Sequence, residues 1–212
     1  MISNLIAFGC SFTYGEGLED CWIDKKSKYG RCPSKFAWPQ KLADLMNISC
    51  KNIGKPGASN KHISHIALNT EYKDSDIAVF LWTFFDRHCV ISDKGEIKRY
   101  LVTDLYRKEH KQRHKNISFY YKHMYTEKNS IHENYIIINH MKYYLDNQGI
   151  KNYHFMFDDY SFNNEPTWNK MKLEYINLES NIDEALDNGH PGPLAQSAMA
   201  DTMYKIITKD SL

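Results

Sequence analysis

The sequence predicts an α/β protein built on a parallel sheet. Two apolar runs of strand length, Leu5-Ile6-Ala7-Phe8 and Ile77-Ala78-Val79-Phe80-Leu81-Trp82, read as strands buried on both faces. Between them lie segments whose apolar residues recur at helical spacing. Glycine-bearing turns follow the strand ends, which is where open α/β sheets carry their chemistry. The resulting order β-α-β-α-β implies right-handed crossovers between parallel strands.

Taken in order, residues 2–9 form the first strand. Ser11 follows Gly9 by two positions, and Gly15 and Gly17 mark a loop. A serine at such a strand end is either a helix cap or a nucleophile. Residues 14–36 lack periodicity and hold Gly15, Gly17, Gly30 and Pro33, so they read as loop. Pro39 opens a helix whose apolar face is Leu42, Ala43, Leu45 and Met46. Residues 50–54 make a short second strand anchored by Ile53. Gly54-Lys55-Pro56-Gly57 is then a tight turn, and Ser59 or Asn60 caps the helix carrying His62, Ile63, Ile66 and Ala67. Asp76 leads into the third strand.

Beyond Trp82 the pattern loosens. Asp93-Lys94-Gly95-Glu96 reads as a hairpin turn, and residues 105–125 alternate basic and aromatic side chains. We read 88–130 as an insertion beside the sheet. Its charged stretch is either a solvated helical face or a binding surface. A long helix fits 131–147, with Ile137, Met141, Tyr144 and Leu145 on one side and Gly149 closing it. Residues 152–157 form a fourth strand, residues 158–186 read as irregular, and a final amphipathic helix covers 194–207.

The length of 212 residues suits a single domain spanning the whole chain. Hydrophobic residues at 42% and charged residues at 25% fit a globular protein and argue against disorder. A net charge of +1 argues against nucleic-acid binding by bulk charge. Five cysteines, an odd number without close CxxC pairs, argue against a disulfide framework and a zinc knuckle, and favour a reducing compartment. No secretory signal or membrane span is visible, so a cytoplasmic location is expected. The histidines show no metal-ligand spacing, and no metal or cofactor is expected.

Three spots converge on one sheet edge: Ser11 after strand one, Gly57 after strand two, and Asp187 with His190 before the last helix. Their residue types match the needs of acyl transfer. Serine is a poor nucleophile until a base such as His190 takes its proton. The imidazole must be held in one tautomer and stabilised once charged, which Asp187 could do across its short turn. A developing oxyanion needs aimed donors, and the backbone N–H groups of Ser11 and Gly57 are candidates.

Gly9-Cys10-Ser11-Phe12-Thr13 resembles the first block of the SGNH (GDSL-type) hydrolases, usually Gly-Asp-Ser-x-Ser/Thr. Asn52-Ile53-Gly54 through Gly57-Ala58-Ser59 is similar to the second block, whose glycine supplies an oxyanion N–H. Asp187-Asn188-Gly189-His190-Pro191 resembles the last block, Asp-x-x-His, which supplies acid and base. The resemblance spans the chain and implies a three-layer, flavodoxin-like parallel sheet flanked by helices. It also implies metal-free hydrolysis of an ester or thioester, or acyl transfer in some members. Family members of this size include phage-encoded proteins, so a virion location stays open.

Two positions depart from the pattern. Cys10 stands in place of the first block's aspartate, which is not the triad acid. The asparagine of the third block, an oxyanion donor after the third strand, has no counterpart in Thr83-Phe84-Phe85-Asp86-Arg87. Thr83 or Asn60 would have to replace it. The expectation is therefore a serine esterase or deacylase with Ser11, His190 and Asp187 as triad, and Gly57, Thr83 and Asn60 around the oxyanion. Its substrate would be a small-molecule or carbohydrate ester. The rivals are a fold-conserving binding module without catalysis and a nucleic-acid binder using residues 106–125.

Overall fold

The computed structural model describes residues 2–21, 32–106, 111–157, 174–176 and 182–209. Its centre is a five-stranded parallel sheet made of β1 (Asn4–Gly9), β2 (Ser49–Asn52), β3 (Asp76–Trp82), β6 (Lys151–Phe157) and β7 (Glu174–Ile176), in spatial order β2-β1-β3-β6-β7. This is the flavodoxin-like order of a doubly wound sheet. Helices α2 (Trp38–Met46) and α6 (Pro193–Lys209) pack together on one face. Helices α3 (Asn60–Leu68) and α5 (Glu127–Asn147) pack together on the other.

The two-residue period of a strand explains the layering. Leu5, Ala7, Ile77, Val79 and Leu81 point into the α2/α6 layer, while Ile6, Phe8, Ala78, Phe80 and Trp82 point into the α3/α5 layer. Every residue of β3 is buried, as its unbroken apolar run requires. Between β3 and α5 lie an antiparallel hairpin, β4 (His88–Ile91) with β5 (Ile97–Tyr100), a short 3-10 helix and α4 (Lys111–His123). The hairpin turn falls at the expected residues, with Ser92 N–H bonding Glu96 O at 2.9 Å. The basic and aromatic stretch is helical from Lys111; residues 107–110 lie outside the described ones.

Two expectations need correction. Residues 158–186 are not wholly irregular, because 174–176 pair with β6 as the fifth strand. Three residues are too few for an alternation signal; residues 158–173 and 177–181 lie outside the described ones. Helix α5 begins at Glu127, earlier than residue 131, because Thr126 accepts the Asn129 N–H and caps it there. Of the two capping candidates for α3, Ser59 does the capping and accepts the His62 N–H at 3.3 Å. Among the described residues, no helix is long and apolar enough to cross a membrane, and none of the five cysteines is in a disulfide.

The α3/α5 core holds one polar pair with consequences. His154 stacks on Phe80 at 4.8 Å, its Nδ1 accepts from the Trp82 indole N–H at 3.1 Å, and its Nε2 lies 2.8 Å from Asn152 Oδ1. An Nδ1 that accepts requires the neutral ring, and burial pushes the His154 pKa down to about 3, with Lys142 adding to the effect. The unfolded chain binds a proton below about pH 6.5 that the folded chain refuses. Stability contributed by neutral His154 is therefore complete above that pH and falls as the solution is acidified. Urea denaturation between pH 7 and 4 is expected to show a loss of up to about 1.4 kcal/mol per pH unit from this residue. His154→Gln should flatten that part of the profile.

Candidate active site

β1 ends at Gly9, and the chain turns at once into the single-turn helix α1 (Ser11–Tyr14). Cys10 occupies the N-cap position and its side chain makes no capping bond, so Ser11 is not the cap. Cys10 is fully buried in the apolar α3/α5 layer, which suits a thiol and not the carboxylate of the resembled block. Ser11 is 3% exposed, and its carbonyl accepts the N–H groups of Gly15 at 2.9 Å and Glu16 at 3.0 Å.

The far end of the chain is folded onto this turn. Gln196 on α6 donates from Nε2 to Phe12 O at 3.2 Å, and its Oε1 accepts the Trp38 N–H at 2.8 Å. Leu186 N–H bonds Gly17 O at 3.0 Å. Residues 183–192 form a small hairpin: Ala185 N–H bonds His190 O at 2.9 Å, Gly192 N–H bonds Asp183 O at 3.1 Å, and Glu184 bridges Pro191. The Asp183 carboxylate then accepts the Leu194 and Ala195 N–H groups at 2.9 and 2.8 Å, capping α6. His190 is thus presented by a closed loop at the mouth of a capped helix.

Asp187 Oδ2 lies 2.6 Å from His190 Nδ1. Its Oδ1 accepts the Gly189 N–H at 3.1 Å, so this carboxylate both closes the turn and holds the imidazole. The side chains of His190 and Asp187 are 20% and 15% exposed. Phe12, the residue after Ser11, meets the His190 ring edge-on at 5.6 Å. The structure therefore brings the serine turn and the Asp187–His190 pair to one place.

One residue was missed by the sequence reading. Glu16 Oε2 lies 3.5 Å from His190 Nε2, the nitrogen that a serine proton would have to reach. Ser11 Oγ and His190 share no hydrogen bond here. Burial pushes the Glu16 carboxyl pKa up; His190, Arg87 and Arg99 oppose this, and Asp187 adds to it. The available signal was a glutamate set between Gly15 and Gly17 just after the serine. Gly17 adopts φ +85°, and a Cβ there would stand 2.6 Å from Asp187 Cγ. Glycine at 17 is what lets the two loops close on each other.

The expected oxyanion residues separate. Gly57 caps the second-strand turn with φ +68°, and the guanidinium of Arg99 from β5 lies against it: Arg99 Nη1 donates to Pro56 O and would be 3.1 Å from a Cβ at 57. Asn60 is not an open donor. Its Nδ2 gives its hydrogens to Thr83 O at 3.0 Å and Asn134 Oδ1 at 2.8 Å, while its Oδ1 accepts the Thr83 N–H at 2.8 Å. Asn60 instead clamps the backbone at the end of β3. Sequence could not foresee this, because its partner Asn134 lies on α5, 74 positions away. Thr83 is 1% exposed, and its Oγ1 is buried without a hydrogen-bond partner. Among the described residues no group of three or more His, Cys, Asp or Glu could hold a metal ion.

With this geometry in place, solved structures supply the comparison. An acetyl xylan esterase from the rumen bacterium Butyrivibrio proteoclasticus superposes with a TM-score of 0.60 at 12% identity, covering 98% of this chain and 64% of that one. A family two carbohydrate esterase from Clostridium thermocellum, in complex with cellohexaose, gives 0.57 at 12%, with 98% and 64% covered. A Corynascus thermopiles carbohydrate esterase family 2 enzyme, solved with its carbohydrate binding domain, gives 0.56 at 9%, with 98% and 66% covered. The chain thus spans about two thirds of the length of these esterases. No family model and no curated sequence matches it. The chain shares its doubly wound α/β fold with these carbohydrate esterases, and sheet order and layering are those that the resemblance to SGNH (GDSL-type) hydrolases implies.

The two loop contacts generate two predictions. Gly17→Ala is expected to cost about 1–3 kcal/mol through positive φ and the clash with Asp187. Gly95→Ala, with φ +76° but open space around it, should cost only the backbone part, as urea denaturation would measure. For Glu16 the raised pKa means that folding favours the protonated acid, and this preference is lost as pH rises through the folded value. Glu16→Gln is therefore expected to match the parent's melting temperature near pH 4 and to exceed it at pH 8.

Proposed function

We propose that this chain is a serine ester hydrolase acting on a small-molecule or carbohydrate ester. The observation that carries the reading is the Asp187–His190 pair, 2.6 Å apart, on a loop folded onto the Ser11 turn. Asp187 fixes the tautomer that leaves Nε2 free to take a proton, and it stabilises the imidazolium once formed. Substrate entry exchanges the Glu16 contact at Nε2 for Ser11 Oγ, in line with catalytic hydrogen bonds that tighten only in the complex. Ser11 attacks the carbonyl, His190 returns the proton to the leaving alcohol, and water repeats the sequence to release the acid.

The Ser11 and Gly57 N–H groups are the backbone donors for the oxyanion. The unpartnered Thr83 hydroxyl is the side-chain donor in place of the absent asparagine. Asn60 serves by holding the Thr83 backbone. The carbohydrate esters of the structural neighbours make acetylated sugars the first substrates to test.

The test uses 4-nitrophenyl acetate and acetylated xylo-oligosaccharides. Ser11→Ala and His190→Ala should each lower kcat by about a thousandfold or more. A fluorophosphonate should label the parent at Ser11. Parent-level turnover in Ser11→Ala would defeat the triad. An unlabelled parent without turnover would leave a binding module on this fold.

A further inference from the structure

Two arginines stand beside the candidate site, and one of them is incompletely paired. Arg87 Nη1 is buried and has no hydrogen-bond partner. Buried guanidinium groups are almost always partnered, because an unmatched charged donor is costly. Its guanidinium carbon lies over the Phe84 ring, 5.0 Å from the centroid. Phe84 meets Phe12 edge-on at 6.4 Å, and Phe12 meets His190 edge-on at 5.6 Å. A continuous path of rings therefore joins Arg87 to the candidate base.

Arg99 is the second of the two. It is tied to Pro56 O at the Gly57 turn, and with Lys98, Tyr100 and Asn116 it lines a cavity of about 430 Å³ between β5 and α4. The charges of Arg87 and Arg99 both act on the Glu16 carboxyl, which itself faces His190. Asp187 is engaged by His190 and the Gly189 N–H, and Glu16 is shifted toward its neutral form by burial despite both arginines. His62, on the helix after the Gly57 turn, lies in the same field: burial first, and then Arg99, His65 and Lys55, together lower its pKa to about 4.

We propose that Arg87 and Arg99 form an anion subsite beside the scissile ester, so that the preferred substrate carries a carboxylate or phosphate. This rests on the esterase reading for its chemistry but not for its binding. Guanidinium is the group suited to such ligands, since its planar fork matches two oxygens of a carboxylate or phosphate. Placed over the Phe84 face, Arg87 is pre-oriented and needs little reorganisation to accept the anion.

The test has a kinetic arm and a binding arm. The kinetic arm compares kcat/KM for acetylated glucuronate, acetylated glucose 6-phosphate and acetylated glucose. At least one anionic ester should be favoured by about tenfold or more, and 0.5 M salt should erode that preference. Arg87→Gln and Arg99→Gln should each collapse the ratio, with Arg87→Lys restoring part of it. Comparing the two anionic esters separates carboxylate from phosphate. Hydrolysis of all three esters at equal efficiency overturns the proposal while leaving the esterase reading intact. Should no ester be hydrolysed, calorimetry decides: glucuronate or glucose 6-phosphate binding more tightly than glucose, and less so in Arg87→Gln, upholds the subsite, and equal affinities overturn it.

Discussion

Gln196 ties the two ends of the chain together. Its amide accepts the Trp38 N–H and donates to the Phe12 carbonyl, joining α6, the start of α2 and the serine turn within one buried side chain. The Trp38 N–H is buried, so losing the amide would leave that donor unmet at about 1–3 kcal/mol. The site depends on this junction. Asp183 caps α6, the 183–192 hairpin hangs from that cap, and His190 hangs from the hairpin. Position 190 is thereby set against a turn almost the whole chain away.

The neighbourhood so created is electrically crowded. One imidazole sits between Asp187 on Nδ1 and Glu16 on Nε2, with two guanidinium groups within electrostatic reach of Glu16. Burial opposes the charge on Glu16, and the cations oppose that effect in turn. Such opposed environments are common where proton transfer is carried out, though structural ion-pair networks produce them too. The second structural theme is clamping of the β3 end. Asn60, Asn134 and Ser130 bond one another or the Thr83 and Phe85 carbonyls, and the Thr83 hydroxyl is left without a partner.

Much of this was legible beforehand. The continuous apolar runs of β1 and β3 identified buried parallel strands, because a strand covered on both faces cannot alternate. Gly-x-Ser, the Gly57 turn and Asp-x-x-His stood at strand or helix ends, and parallel topology puts such ends on one edge. The losses have equally physical causes. Asn60 was read as a donor because its chemistry permits it, and the amide was consumed by Thr83 and by Asn134 on another helix. Glu16 and Asp183 went unremarked because a carboxylate's partner is invisible until the loops close. β7 was missed because three residues carry no period.

Sequence alone determined the α/β class, the succession of strands and helices along the chain, and the local Asp187–His190 turn, since each rests on apolar periodicity or residue types within a short stretch. Tertiary structure decided which nitrogen of His190 meets which carboxylate, whether Asn60 or Thr83 keeps a free polar group, and that the charges of two arginines act on Glu16. Those outcomes come from side chains far apart in sequence competing for a limited set of buried partners, a competition resolved only when the layers pack.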